Sequence, residues 1–183
     1  AVRYSGAVAP ILCDEETGDP AVAAATLLAT TGVAVLPPLD VTRSLGMGGD
    51  VWTGFGRHWD ELAPDPYAAE LGVTRLRRYG HYLLRDGIMR PMPGASFVQP
   101  LDSNPLYVGR DRTFEPLTET FVNDPLLRGL VRLLAPVARS LDDAAEWQVK
   151  VHLFRVQARA GAAAAGGDPT PEGLHRDGVT LVT

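Results

Sequence analysis

Lysine is almost absent from this chain of 183 residues: of its 17 basic side chains only Lys150 is a lysine. Two readings of that scarcity stay open, a demand for planar, bidentate anion recognition and a genomic bias toward arginine codons. Cysteine is equally scarce. Cys13 alone excludes an intrachain disulfide framework and fits a reducing compartment, so a cytoplasmic location is expected. No base is identifiable beside Cys13, which leaves a nucleophilic role without support. Long apolar runs are missing too. Nothing approaches the roughly 18 uninterrupted apolar residues of a membrane span, and the opening AVRYSGAVAP lacks the hydrophobic core of a signal peptide. Positive charge is in deficit, with a net charge of −5 and a pI near 5.3. Neither nucleic acid nor an anionic membrane is therefore expected as a partner, because phosphate binding needs a positive field. An initiator methionine is lacking, and GVTLVT stops inside what reads as a β-strand, so a chain cut at both ends is expected.

An apolar content of 45% is enough for one domain with a genuine core, and residues 1–183 are read as a single domain. Asp19-Pro20 is a helix start and Gly32 a stop, which predicts a helix over 20–31. VAVLPP reads as a short strand closed by Pro37 and Pro38. The stretch DVWTGFGRHWDEL carries Val51, Trp52, Phe55, Trp59 and Leu62 at helical spacing, with its tryptophans expected in the core. Asp65-Pro66 opens a short helix ended by Gly72, and Asp124-Pro125 a longer one reaching about Ser140, with Leu126, Leu127, Leu130, Val131, Leu134 and Val137 as its apolar stripe.

Two segments alternate with a period of two. VTRLRRYGHYLL puts Arg75, Arg77, Tyr79 and His81 on one face and Leu76, Arg78, Tyr82 and Leu84 on the other. WQVKVHLFRVQA, residues 147–158, sets Lys150, His152, Phe154 and Val156 opposite Val149, Val151, Leu153 and Arg155. Residues 86–116 are rich in Pro, Gly and Asp and are expected as irregular connections with one short strand around SFVQ. GAAAAGGDPTPEG, residues 161–173, suits a loop, either a solvated linker or a lid beside a site. Helices come first and strands after, which favours an α+β or mainly β domain with flanking helices.

PTPEGLHRDGV, residues 169–179, concentrates ionisable groups before an apolar run. Alternate residues of a strand share a face, so His175 and Asp177 can aim an imidazole and a carboxylate at one point. Those are two ligands of a two-histidine-one-carboxylate Fe(II) site, which leaves positions open for a co-substrate and oxygen. On the tripeptide alone the bland reading, a surface turn with Asp177-Gly178 at its tip, outweighs a metal site. Glu172 is read as bridging the turn to Arg176.

With the preceding WQVKVHLFRV, RLRRYGHYLL and SFVQPLDSNPLYVGRDRTFEPL, this segment resembles the 2-oxoglutarate- and Fe(II)-dependent dioxygenases that hydroxylate free amino acids, the isoleucine dioxygenase-like group. Pro171, Glu172, Gly173, His175 and Asp177 carry the likeness, which covers roughly residues 74–183. It implies a double-stranded β-helix (jelly-roll, cupin-like) fold, iron held by His175 and Asp177, 2-oxoglutarate as co-substrate, a small-molecule substrate and O2. It also implies a third iron ligand, a histidine, and an arginine for 2-oxoglutarate from strands downstream of Asp177. None follows before Thr183, so the chain is expected to lack its C-terminal strands. Of His58, His81 and His152, none is recommended as that third ligand by its local sequence.

Arg75, Arg77 and Arg78 on one strand can each grip the carboxylate of an amino acid, or can protect an exposed edge. Arg155, a charge in an apolar strand, needs a partner, and 2-oxoglutarate is one. His152 faces the other way, so one of the two points inward as the cofactor-binding residue. By resemblance Tyr79, Gln99 and Asn104 join Arg77 and Arg78 as substrate-binding wall residues. The rival function is a non-catalytic β-helix binding or scaffold module with an incomplete metal site; a cupin-like enzyme using another metal is a third. The substrate's identity and the oligomeric state are not legible.

Overall fold

The computed structural model describes residues 18–70, 72–94, 96–97, 110–157 and 178–183. In chain order the elements are α1 (Pro20–Thr31), α2 (Pro38–Ser44), α3 (Val51–Gly56), a 3₁₀ helix (Arg57–Glu61), β1 (Ala63–Pro64), α4 (Pro66–Glu70), β2 (Arg75–Arg85), β3 (Ile88–Pro91), β4 (Ser96–Phe97), β5 (Arg112–Thr113), α5 (Glu119–Val122), α6 (Pro125–Leu141) and β6 (Trp147–Val156). They fall into two compact units, Ala1–Trp52 with Pro125–Asp143 and Thr53–Asp124 with Ala144–Thr183. Helices and an antiparallel sheet together make an α+β arrangement. No helix among the described residues is long and apolar enough to cross a membrane.

The first unit is helical. Asp19 accepts a hydrogen bond from the Ala21 N–H at 2.9 Å, Pro20 pre-sets φ, and Gly32 closes α1 at φ 78° with its own N–H on the Leu28 carbonyl at 3.0 Å. Both ends lie where the capping signals put them. The strand expected at VAVLPP is not formed. The chain instead enters α2, with Pro38 at its first position, and leaves Val33 and Val35 each 55% exposed. Two successive prolines withhold the donors a strand needs, while a fixed φ near −65° suits a first helical turn. α6 packs against α1 and buries Leu126, Leu127, Leu133 and Val137; Leu130, Val131 and Leu134 of the expected stripe are half-buried.

The second unit is built on β2. β6 pairs antiparallel with it along ten positions, from Arg75↔Val156 to Leu84↔Trp147. β1 pairs antiparallel at Arg77 and Leu76, and β3 at Tyr82 to Arg85. Between β1 and β3 the edge is filled by residues 115–117, which take the Tyr79 N–H on the Glu115 carbonyl at 3.0 Å and give the Leu117 N–H to the Tyr79 carbonyl at 3.3 Å. Asp86 and Gly87, at φ 52° and 74°, turn β2 into β3. This hairpin stands where only irregular chain was expected, although Asp-Gly between extended runs is a two-residue hairpin signal. The single helix expected over 50–62 is split into α3 and the 3₁₀ helix, since Gly54 and Gly56 weaken α-helix propagation. Its tryptophans, Trp52 and Trp59, are half-buried rather than core, and the Trp59 indole donates to the Phe154 carbonyl at 3.2 Å.

Candidate functional site

Pairing β2 with β6 in this register puts Arg77, Tyr79 and His81 on the same face as Phe154, His152 and Lys150. Phe97 of β4, Arg112 of β5 and Phe114 close over that face. Tyr79 lies 5.5 Å from Phe97 and 6.2 Å from Phe114 between ring centroids, and His152 lies 5.0 Å from Phe97. Cations layer on these rings: the Arg77 guanidinium sits 4.1 Å from the Phe114 centroid, Arg112 5.0 Å and Lys150 5.4 Å from that of Phe97. Arg77, Arg112 and Tyr79 are all buried.

Among the described residues, Asp65 is the anion that Arg75 and Arg77 share. The buried carboxylate of Asp65 uses Oδ1 to accept the Tyr67 and Ala68 N–H groups at the start of α4, at 3.0 and 3.1 Å. Its Oδ2 takes the Arg75 Nε at 3.0 Å and stands 3.9 Å from Arg77. One anion thus serves a helix start and two guanidiniums. Burial, followed by the Arg75 cation, lowers the pKa of Arg77 to about 10. The Arg77 Nη2 donates to Nδ1 of His152. Burial, then the Arg77, Lys150 and Arg112 cations, hold His152 down to about 3, so this imidazole is neutral. With Nδ1 accepting, the proton of the neutral ring resides on Nε2, which makes His152 a hydrogen-bond donor.

Polar atoms on this face lack partners. Arg77 Nε, Tyr79 Oη and His81 Nε2 are buried without a hydrogen bond, and they belong to three successive same-face positions of β2. A buried donor left unpaired costs about 1–3 kcal/mol, so a row of them is uncommon outside sites that take a ligand.

Arg77, Tyr79 and His152 are therefore brought together. Arg78 is on the opposite face and donates to the Glu61 and Pro116 carbonyls, both at 2.7 Å. Arg155 shares that opposite face and pairs at 3.2 Å with the exposed Asp60. Gln99, Asn104, His175 and Asp177 lie outside the described residues. Arg112, Phe114 and Asp65 escaped the sequence reading as site residues, although Arg112 and Phe114 in RDRTFEPL show the two-residue spacing that places them on one side.

Among the described residues no group of three or more His, Cys, Asp or Glu side chains could hold a metal. A neutral imidazole ringed by cations does not suit a divalent ion, whereas the same surroundings suit a carboxylate. The described face suits an anionic group better than a cation.

A family model for 2OG-Fe dioxygenase matches residues 56–183. The chain belongs to the 2OG-Fe dioxygenase family. This family uses Fe(II) and 2-oxoglutarate, and its members are 2-oxoglutarate-dependent dioxygenases. Among solved structures, the chain is similar to a bsmA homolog from Methylobium petroleophilum PM1, with 31% identity and a TM-score of 0.74 over 87% of this chain and 63% of that one. It is also similar to IDO from Bacillus thuringiensis, with 13% identity and a TM-score of 0.53 over 73% of this chain and 54% of that one, a likeness of fold alone. The chain thus spans less than two thirds of the length of either. A comparison with curated proteins finds no match.

Proposed function

We propose that the protein hydroxylates a free amino acid or similar small molecule, using Fe(II), 2-oxoglutarate and O2 and releasing succinate and CO2. One oxygen atom enters succinate and the other the substrate C–H bond, so no further reductant is needed. The observation that carries this reading is the family match across residues 56–183, which includes the His175-Arg176-Asp177 tripeptide. In this reading His175 and Asp177, with a further histidine, hold the iron on a double-stranded β-helix to which residues 1–183 belong, in the cytoplasm. Bound there, iron supplies the oxidising power for an unactivated C–H bond.

The chain's own share is binding and orientation. An amino-acid substrate is supported by the cationic face around Arg77, where Arg112 and Lys150 add positive field, which favours an anionic small molecule. Aromatic walls at Phe97 and Phe114 exclude water and strengthen each charge contact made there. The test is succinate release by the natural full-length protein with a panel of free L-amino acids. Release that depends on both Fe(II) and one of them is expected; full coupling to a substrate lacking any carboxylate would overturn the substrate class.

A further inference from the structure

On one face of β2, Arg77 Nε, Tyr79 Oη and His81 Nε2 are buried without a hydrogen-bond partner among the described residues. Arg77 is a buried cation whose nearest anion among the described residues, Asp65, stands 3.9 Å away and is already shared with Arg75 and with the start of α4. Its Nε has no acceptor, and neither has the adjacent same-face hydroxyl of Tyr79, a residue only 1% exposed. Opposite Tyr79, His152 is locked by Arg77 into the tautomer that donates from Nε2. The Arg77 Nε–H and the Tyr79 hydroxyl thus sit at neighbouring same-face positions of this sheet with no acceptor among the described residues. Such a set costs stability in the free protein and is relieved only by an incoming acceptor.

We propose that Arg77, Tyr79 and neutral His152 form the receptor for a carboxylate of a small-molecule ligand. Arg77 supplies the charge and Nε–H, Tyr79 a hydroxyl donor, and His152 acts as a fixed Nε2–H donor rather than as a base or metal ligand. This rests on the reading above, in which substrate and co-substrate are both carboxylates; either could be the source of the group. Phe97 and Phe114 flank the guanidinium and keep water from competing for it. Lys150, over Phe97, adds positive field without a direct contact being required.

The test is calorimetric binding to the natural full-length protein, with and without redox-silent Mn(II), so that turnover plays no part. The probes are 2-oxoglutarate, free L-amino acids and the corresponding amino-acid amides. Arg77→Gln is expected to weaken a carboxylate ligand about 10- to 100-fold, as for loss of a charge-assisted hydrogen-bond pair. The amides are expected to bind the parent poorly and to be indifferent to the substitution. Tyr79→Phe supplies the control for folding: it removes a hydroxyl that has no partner, so the free protein should melt at the same temperature or higher while the ligand is weakened about 3- to 10-fold. A loss confined to amino acids assigns the face to the substrate, and one confined to 2-oxoglutarate assigns it to the co-substrate; both support the receptor. Folded variants that bind every probe as the parent does would overturn it, even if oxygenase turnover is found. Arg77-dependent carboxylate binding without any turnover would leave the receptor standing and remove the hydroxylase reading instead.

Discussion

Tyr79 and His152 stand directly opposite each other on β2 and β6, with ring centroids 4.8 Å apart. Both backbone groups of Tyr79 bond to residues 115–117 on the far edge of β2, so the pair exchanges no ladder hydrogen bonds with β6. That is the closer of the two kinds of antiparallel pair, and it presses an imidazole onto a buried ring beside the Arg77 cation.

Acid sensitivity follows from this pairing. His152 has a pKa of about 3 in the folded chain against 6.5 for an ordinary histidine. Between those values the unfolded chain binds a proton that the folded chain refuses, so stability falls as pH drops through that window. Urea midpoints measured from pH 7 to pH 4 should fall with a contribution of about 1.4 kcal/mol per pH unit from this group. His152→Gln, which keeps an acceptor for Arg77 and cannot titrate, should flatten that limb; an unchanged slope would contradict the buried neutral imidazole.

Among the described residues Asp65 is the buried anion that pairs with Arg75 and Arg77, and it also accepts two N–H groups of α4. Asp65→Ala should cost about 3–5 kcal/mol in equilibrium unfolding, since it strips a buried ion pair of one partner. Asp65→Asn keeps an oxygen for the helix start but not the charge, and should fall between the alanine variant and the parent. Equal losses for the two would mean that the charge, not the cap, is what matters.

Two glycines separate rigid from yielding surroundings. A Cβ on Gly80 would lie 2.5 Å from a Tyr82 ring carbon and 2.6 Å from a Leu117 methyl, both residues buried. Gly80→Ala should destabilise by about 1–3 kcal/mol through overpacking. At Gly129 the nearest atom is a methyl of Leu45 at 2.7 Å, the end of a half-buried side chain that can rotate. There the gain in helix propensity, about 1 kcal/mol, offsets the adjustment, and Gly129→Ala should melt close to the parent.

How far the sequence reached depended on how local each signal was. α1 and α6 were legible because Asp19-Pro20, Gly32 and Asp124-Pro125 act within a turn of themselves, and the faces of β2 and β6 because alternation is a property of the strand alone. VAVLPP failed as a strand because a strand needs a neighbour, which no local pattern supplies. The site was legible in part for the same reason. Arg77, Tyr79 and His152 could be assigned to faces, but which faces coincide is fixed by the β2–β6 register. Asp65 was read correctly as a helix start, and its second partner Arg75, ten residues on, became visible only when β2 folded back beside it.

In the proposed reading His175 and Asp177 take up the iron of a 2-oxoglutarate-dependent oxygenase. Anaerobic titration of the natural full-length protein with Mn(II), read by calorimetry, tests it most directly. One ion per chain is expected, tightened by 2-oxoglutarate and lost in both His175→Ala and Asp177→Ala while Arg77→Gln retains it. Stoichiometric metal binding that survives both substitutions would contradict the account.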